Sequence, residues 1–199
     1  MKKIGFIVQF LCLALFSFGQ SAGDGIRFIE GEKWENVLKM AQEQDKYIFM
    51  DCYTSWCGPC KQLAKTVFTD PDAANFFNEH FVNLKMDMEK GEGINLKDRF
   101  GVKAYPTLLF INGQGEVVHS LVGAPGLKEL IEQAQIAFEG KGLAYADAEY
   151  QKGNRDPEFI QAYLTYLGNA SLSEKAEEVS LDYFATLDKN NLKERKYWD

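Results

Sequence analysis

Hydrophobic and polar residues alternate with two different periods along the chain. Apolar residues three or four positions apart predict amphipathic helices, and short apolar or alternating runs predict strands. The helical spacing covers residues 32–44, 57–69, 70–80, 92–100 and 127–138. The strand patterns cover residues 27–30, 47–53, 81–87, 107–111 and 116–121, and the sequence NGQG between the last two is typical of a hairpin. We therefore expect an α/β fold in which helices flank a mixed central sheet on both faces.

The pattern changes after Gly142, where only helical spacing remains. One helix is predicted to open at Asp156–Pro157 and a second near Ser171 or Ser173, where residues 173–177 supply a cap and early acidic residues. We expect residues 143–199 to form a small C-terminal helical extension that follows an α/β domain over residues 26–140. Because two short helices cannot bury their apolar faces alone, the extension either docks on the first domain or begins a helical repeat.

The first twenty residues have the composition of a secretory signal peptide. Two lysines precede an apolar run over residues 4–18, and small residues follow it. We expect residues 1–20 to form the signal peptide, with cleavage near Gly19–Ala22. An uncleaved anchor is the alternative, although the apolar run is short for a membrane span. The segment predicts a protein exported to a bacterial periplasm or cell envelope, in contact with the membrane only through the signal peptide.

Composition and charge exclude several classes of protein. A hydrophobic content of 46% and an aromatic content of 14% fit a globular protein with a sizeable core. The net charge is −7 and no cluster of lysine or arginine could follow a phosphate backbone, so we expect no nucleic-acid partner. Four cysteines are too few for a disulfide scaffold, and Cys12 lies within the predicted signal peptide.

The segment MDCYTSWCGPCKQLA contains a pair of cysteines, Cys57 and Cys60, separated by two residues. Such a pair can be half of a metal site, a structural crosslink or a redox centre. A structural zinc site needs four ligands, and the chain has no second pair of this kind, so we expect no metal. The two histidines are isolated: we expect His80 at a helix C-terminus and His119 exposed on a strand. A crosslink over so short a loop would restrain little of the unfolded chain.

The redox interpretation follows from the position of the pair. Cys57 follows a predicted buried strand and lies at the first turn of a helix, where unpaired backbone N–H groups and the helix dipole stabilise an anion. Its thiolate is therefore expected to attack a substrate disulfide. Cys60, one turn later and more covered, can form a disulfide with Cys57 and resolve the mixed disulfide. Cys52, on the preceding strand, is expected to be a small buried hydrophobe.

Three segments of the chain resemble the thioredoxin superfamily. WCGPCK (56–61) is identical to the family signature, AYPTLLFING (104–113) resembles the segment around its cis-proline, and VGA (122–124) matches its late glycine turn. The resemblance covers about residues 26–138 and implies a thioredoxin fold. The stretch VFTDPDAANFFNEHFVNLKMDMEK is similar to exported thioredoxin-like domains of bacterial envelopes, including the soluble domain of transmembrane disulfide reductases.

Two charged residues take their roles from this resemblance. Asp51, six residues before Cys57, matches the family's buried acid, which accepts the proton of Cys60. A carboxylate in an apolar strand should also have a raised pKa. Lys85 matches the lysine that pairs with this acid, and a solvated strand lysine is the alternative.

The remaining supporting residues surround the cysteines. Trp56 is expected to shield the disulfide, while Gly58 and Pro59 set the tight start of the helix. Pro106 matches the family's cis-proline, which lies beside the disulfide and leaves backbone groups free for a substrate strand. Tyr105 precedes it, where thioredoxins carry a smaller β-branched residue, so substrate choice and reduction potential are expected to differ.

The leading hypothesis is an exported thiol–disulfide oxidoreductase that reduces or isomerises disulfides of client proteins with the CGPC dithiol. It needs no bound cofactor, and its electron donor is expected to be a membrane thiol reductase. The Gly-Pro dipeptide resembles reducing members of the family more than strong oxidants. The alternative is a client-binding module with the same fold, in which redox activity is secondary.

Overall fold

The computed structural model describes residues 25–187, so the predicted signal peptide and the last twelve residues lie outside the described part of the chain. The strands are β1 (Tyr47–Tyr53), β2 (Phe81–Asp87), β3 (Thr107–Ile111) and β4 (Val117–Val122). The helices are α1 (Trp34–Gln44), α2 (Gly58–Thr66), α3 (Pro71–His80), α4 (Gly93–Arg99), α5 (Leu127–Phe138), α6 (Leu143–Gln151), α7 (Pro157–Asn169) and α8 (Ser173–Thr186). Between residues 25 and 187, no helix combines the length and the apolar character needed to cross a membrane.

The four strands form one mixed sheet in the order β2-β1-β3-β4. β1 runs parallel to β2 and antiparallel to β3, and β3 runs antiparallel to β4. Because β1 is central, it is buried on both faces and its side chains alternate between two cores. Phe49 packs against Phe77 and Phe110 beneath α2, α3 and α5, whereas Met50 packs with Trp34 of α1 on the opposite face. The predicted α/β fold with helices on both faces is confirmed.

The strand predicted over residues 27–30 is reduced to a single bridge. Ile29 pairs with Leu84 of β2, and its backbone N–H donates to the Asn83 carbonyl at 2.8 Å. The chain then turns away at Gly31, where the backbone φ is +73°. A positive φ is accessible to glycine without steric cost, so the chain can leave β2 two residues after the bridge at Ile29. This short segment nevertheless places Glu30 beside β2.

The residues after Gly142 form three described helices rather than the two that the pattern predicted. α6 has no single apolar stripe, because its alanines and tyrosines are spread around the helix, and its period therefore could not be recognised. Tyr150 of α6, Tyr163 of α7 and Val179 of α8 form a small core of their own. α6 and α7 pack against β4, so the extension docks on the first domain.

His119 joins the two parts of the fold. It was expected to be exposed on β4, and this expectation is wrong: the residue is fully buried. Its Nε2 lies 2.8 Å from Oε1 of Gln133 on α5, and its Nδ1 accepts a hydrogen bond from the backbone N–H of Leu143 at 3.1 Å. Burial by α6 and α7, which the sequence pattern of β4 does not encode, lowers the pKa of His119. His80 is the last residue of α3, as expected.

Candidate active site around the Cys57–Cys60 disulfide

The two cysteines lie at the N-terminus of α2, directly after the loop that leaves β1. Cys57 is the N-cap of α2 and is joined to Cys60 in a disulfide, with the two Cα atoms 5.4 Å apart. The backbone N–H of Cys60 donates to Sγ of Cys57 at 3.1 Å. Pro59 follows Gly58 in the first turn, where its missing N–H would have no intrahelical partner in any case. The sulfur of Cys57 is thus placed among the free donors of a helix start.

Burial does not distinguish the two cysteines, although Cys60 was expected to be the more covered. The exposed fraction is 2% for Cys57 and 4% for Cys60. The assignment of Cys57 as the attacking sulfur therefore depends on its N-cap position. A sulfur at this position gains from the helix dipole and from the Cys60 N–H when it carries a negative charge.

Two aromatic residues, Trp56 and Tyr105, contact each other at the cysteine loop. Trp56 is 65% exposed, and its Nε1–H donates to Oε2 of Glu89 at 2.8 Å. The Tyr105 ring lies edge-on to the Trp56 ring, with 6.0 Å between the centroids. This contact brings the segment before β3 next to the cysteine loop, which the separation in sequence does not reveal. Glu89 was not predicted as a site residue, because nothing local in its sequence marks it.

The peptide bond between Tyr105 and Pro106 is cis. The Pro106 carbonyl accepts a hydrogen bond from the Gly123 N–H at 2.8 Å, which ties the start of β3 to the turn after β4. The side chain of Thr107 donates to the Ala104 carbonyl at 2.8 Å and closes the loop from the other side. The two segments that carry the resemblance outside the cysteine motif are therefore in direct contact with each other.

Asp51 lies in the middle of β1 and is 1% exposed. Within residues 25–187, neither carboxylate oxygen has a hydrogen-bond partner. Burial raises the pKa of Asp51 to about 7, while the positive charge of Lys85 opposes this rise and the negative charge of Glu30 adds to it. A carboxyl group with a pKa near neutrality can both accept and release a proton at physiological pH.

Lys85 is the backbone partner of Asp51 in the β1–β2 ladder. The ion pair that its ammonium makes is with Glu30, at 3.9 Å between Nζ and Oε1. The same Nζ lies 4.8 Å from the centroid of the Tyr53 ring. Lys85 therefore acts on Asp51 through its charge, while its head group is drawn towards Glu30 and Tyr53.

The other described cysteine is separated from this chemistry. Cys52 is a fully buried free thiol that packs with Met50 and Leu109, on the face of β1 opposite to Asp51. Burial raises the pKa of Cys52 well above its usual value, and the charge of Asp51 adds to the rise. Between residues 25 and 187, no three His, Cys, Asp or Glu side chains come together in a way that could hold a metal ion.

A family model described as "Thioredoxin-like domain" matches residues 34–135, which is just over half of the chain. The chain belongs to the thioredoxin-like family. Thioredoxin H4 of Arabidopsis thaliana is 38% identical over 91 residues, which cover 46% of this chain and 71% of that protein. A thioredoxin of Echinococcus granulosus is 31% identical over 109 residues, which cover 54% of this chain and 92% of that protein.

Solved structures of thioredoxin-like proteins agree with this membership. A proposed disulphide-isomerase from Bacteroides thetaiotaomicron is 55% identical, with a TM-score of 0.54, and the match covers 60% of this chain and 98% of that one. The oxidoreductase DsbH, 19% identical with a TM-score of 0.52 over 59% of this chain and 88% of that one, shares the fold. Together with a cysteine pair at disulfide-bonding distance, family membership makes the chain a thioredoxin-like thiol–disulfide oxidoreductase that acts on disulfide-bearing substrates.

Proposed function

We propose that the chain is an exported protein-disulfide reductase or isomerase that works through a mixed disulfide. The observation that supports this most directly is the Cys57–Cys60 disulfide at the start of α2, with the buried carboxyl of Asp51 on the adjoining strand. The 55% identity to a proposed disulphide-isomerase supports thiol–disulfide exchange on protein disulfides as the class of reaction.

The reaction begins with the dithiol form. The Cys57 thiolate attacks one sulfur of a client disulfide, and the other client sulfur leaves with the electron pair of the broken bond. Asp51 then accepts the proton of the Cys60 thiol, and the Cys60 thiolate attacks Sγ of Cys57. The Cys57–Cys60 bond forms, the client's second sulfur leaves as a thiolate, and the client has gained two electrons.

The surrounding residues support these steps in different ways. The Cys60 N–H and the start of α2 stabilise the leaving and attacking forms of Cys57. Pro106 and Tyr105 form the edge on which an extended client segment would lie, and the exposed Trp56 borders it. Tyr105 is bulkier than the β-branched residue usual in thioredoxins, so we expect it to restrict which client segments fit.

Activity assays on single cysteine variants test the proposal. We expect Cys57→Ser to abolish reduction of insulin disulfides, and Cys60→Ser to accumulate a mixed disulfide with the client. Cys52→Ala is the matched control, because Cys52 is a buried thiol on the opposite face. Retained activity in Cys57→Ser would refute the proposed mechanism.

Direction and location are part of the same proposal. A reduction potential near about −270 mV would fit a reductant, whereas one near about −120 mV would fit an oxidant and reverse the direction. A reductant in an oxidising compartment needs a donor, for which we propose a membrane thiol reductase. Export is supported by the signal-peptide pattern over residues 1–20, and N-terminal sequencing of protein from the periplasmic fraction tests it.

A second candidate is a client-binding module in which redox chemistry is secondary. The docking of α6 and α7 on β4 favours it, because these helices enlarge the surface beside the thioredoxin-like domain. Full-length protein in which both Cys57 and Cys60 are serine separates the two functions. Preserved function in cells would support the binding module, and its loss would support the oxidoreductase.

A further inference from the structure

Lys85 lies between two carboxylates that come from different parts of the chain. Asp51 is its backbone partner on β1, and Glu30 approaches from the segment that precedes α1. The position of Glu30 is set by backbone pairing, because the N–H of Lys85 donates to the carbonyl of Ile29 at 3.0 Å. One ammonium group is therefore available to two negative charges.

The geometry favours Glu30 in this competition. Glu30, Lys85 and Tyr53 line a cleft of about 340 Å³ at the β2 edge of the sheet. Lys85 contacts the Glu30 carboxylate at 3.9 Å and the face of the Tyr53 ring at 4.8 Å. Both contacts hold the ammonium in the cleft, where water can also solvate it, and leave the buried Asp51 carboxyl without a hydrogen-bonded cation.

We propose that Glu30 is a positioning residue for the resolving step: it holds the Lys85 ammonium in the cleft and so keeps Asp51 a sufficiently strong base to take the proton of Cys60. The inference rests on the proposed function for its role in the reaction. The physical reason for the proposal is that removal of the Glu30 charge frees Lys85 to pair with Asp51. Such a pair would stabilise the carboxylate and weaken it as a base.

The charges around Asp51 agree with this assignment. Burial has the largest effect and raises the pKa of Asp51, the Lys85 charge opposes this rise, and the Glu30 charge adds to it. The next titratable groups along its own strand are Cys52 and Tyr53, whose pKa values are both raised, mainly by burial, so both groups stay neutral near pH 7. Lys85 and Glu30 are therefore the charged groups that shift the pKa of Asp51.

The first test is a carboxyl NMR titration of Asp51 in the full-length protein. We expect Glu30→Gln to move the Asp51 midpoint to lower pH by about 0.3 unit or more in low salt. Because the Glu30 side chain is 61% exposed, high salt should reduce the difference. Glu32→Gln is the matched control: Glu32 lines the same cleft, but its carboxylate accepts hydrogen bonds from Asn36 and the Lys33 N–H. An Asp51 midpoint that does not move, or that moves equally in both variants, would overturn the proposal.

A Lys85→Met background tests whether Glu30 acts through Lys85. We expect the shift produced by Glu30→Gln to shrink in that background. A shift of the same size would mean that Glu30 acts directly through its own charge, and the positioning role would be overturned. These titrations need no client, so their outcome is independent of whether the proposed reductase function holds.

The reaction itself is followed with a mixed disulfide between Cys57 and thionitrobenzoate. Cys60 gives its proton to Asp51, its sulfur bonds to Cys57, and the coloured thionitrobenzoate anion leaves with the electrons of the broken bond. We expect the pH midpoint of this release to move down in Glu30→Gln and to stay in place in Glu32→Gln. A moved Asp51 titration with an unmoved release profile would remove Glu30 from the resolving step.

Discussion

Replacement of Asp51 by asparagine should stabilise the oxidised protein, and the gain should grow as the pH rises from about 4 to about 7. The substitution keeps the shape of the side chain and removes the charge. Asp51 is 1% exposed between β2 and β3, where it pairs with Lys85 on one side and Leu108 on the other. An amide at this position avoids the free energy needed to hold a carboxylate out of water.

The magnitude follows from the pKa of Asp51. The folded protein holds the proton up to a pKa of about 7, whereas the ordinary value of 3.8 applies to the unfolded chain. Between these values the folded state binds more protons, so the free energy of unfolding falls as the pH rises. At 1.36 kcal/mol for each pKa unit the total loss is roughly 4 kcal/mol, and it is complete above pH 7.

Urea unfolding of the oxidised protein at about pH 5 and pH 8 measures this difference. We expect Asp51→Asn to gain at least about 2 kcal/mol more stability at the higher pH than at the lower one. Asp98→Asn, a substitution at an exposed position, is the control and should show no such dependence. Equal gains at both pH values would refute the reasoning, because a pH-independent gain cannot come from a buried charge. The same variant should resolve mixed disulfides more slowly, since Cys60 would lose its proton acceptor.

Three further predictions concern other parts of the fold. Gly142→Ala should lower the free energy of unfolding, measured in urea, by about 1–3 kcal/mol, because a Cβ there would lie 2.7 Å from the Val118 carbonyl oxygen. Gly126 is also a helix N-cap but has open space around it, so Gly126→Ala should leave the free energy of unfolding almost unchanged. After reduction, iodoacetamide should label Cys57 in the native protein, whereas Cys52, which is buried and has a raised thiol pKa, should be labelled only after denaturant is added. Mass spectrometry measures the labelling, and a labelled Cys52 in the native sample would contradict its burial. Because burial lowers the pKa of His119, this residue takes up its proton in the unfolded chain at a higher pH than in the folded protein, so the wild type loses stability as the pH falls from 7 to 5. The difference in free energy of unfolding between wild type and His119→Asn should therefore shrink over this range, and an unchanged difference would contradict a neutral, buried ring.

The sequence by itself was sufficient for the features that depend on neighbouring residues. The bounds of β1, β2 and β3 agree with the apolar runs that predicted them, and α3 begins at Pro71, directly after its N-cap Asp70, within the range that the helical spacing predicted. The cysteine motif could also be recognised from the sequence, because its chemistry depends on the three-position spacing of the cysteines and on the helix that starts there. Each of these features is decided within one or two turns of helix or one strand.

Only the tertiary structure decided how distant segments act on one another. His119 has the sequence environment of an exposed strand residue, and α6 and α7 bury it. Glu30 and Lys85 lie 55 positions apart in sequence, and the bridge at Ile29 brings them together. Burial and the electrostatic environment are set by whatever packs on a residue from elsewhere in the chain. Local periodicity carries no information about that packing, and the pKa of Asp51 depends on it.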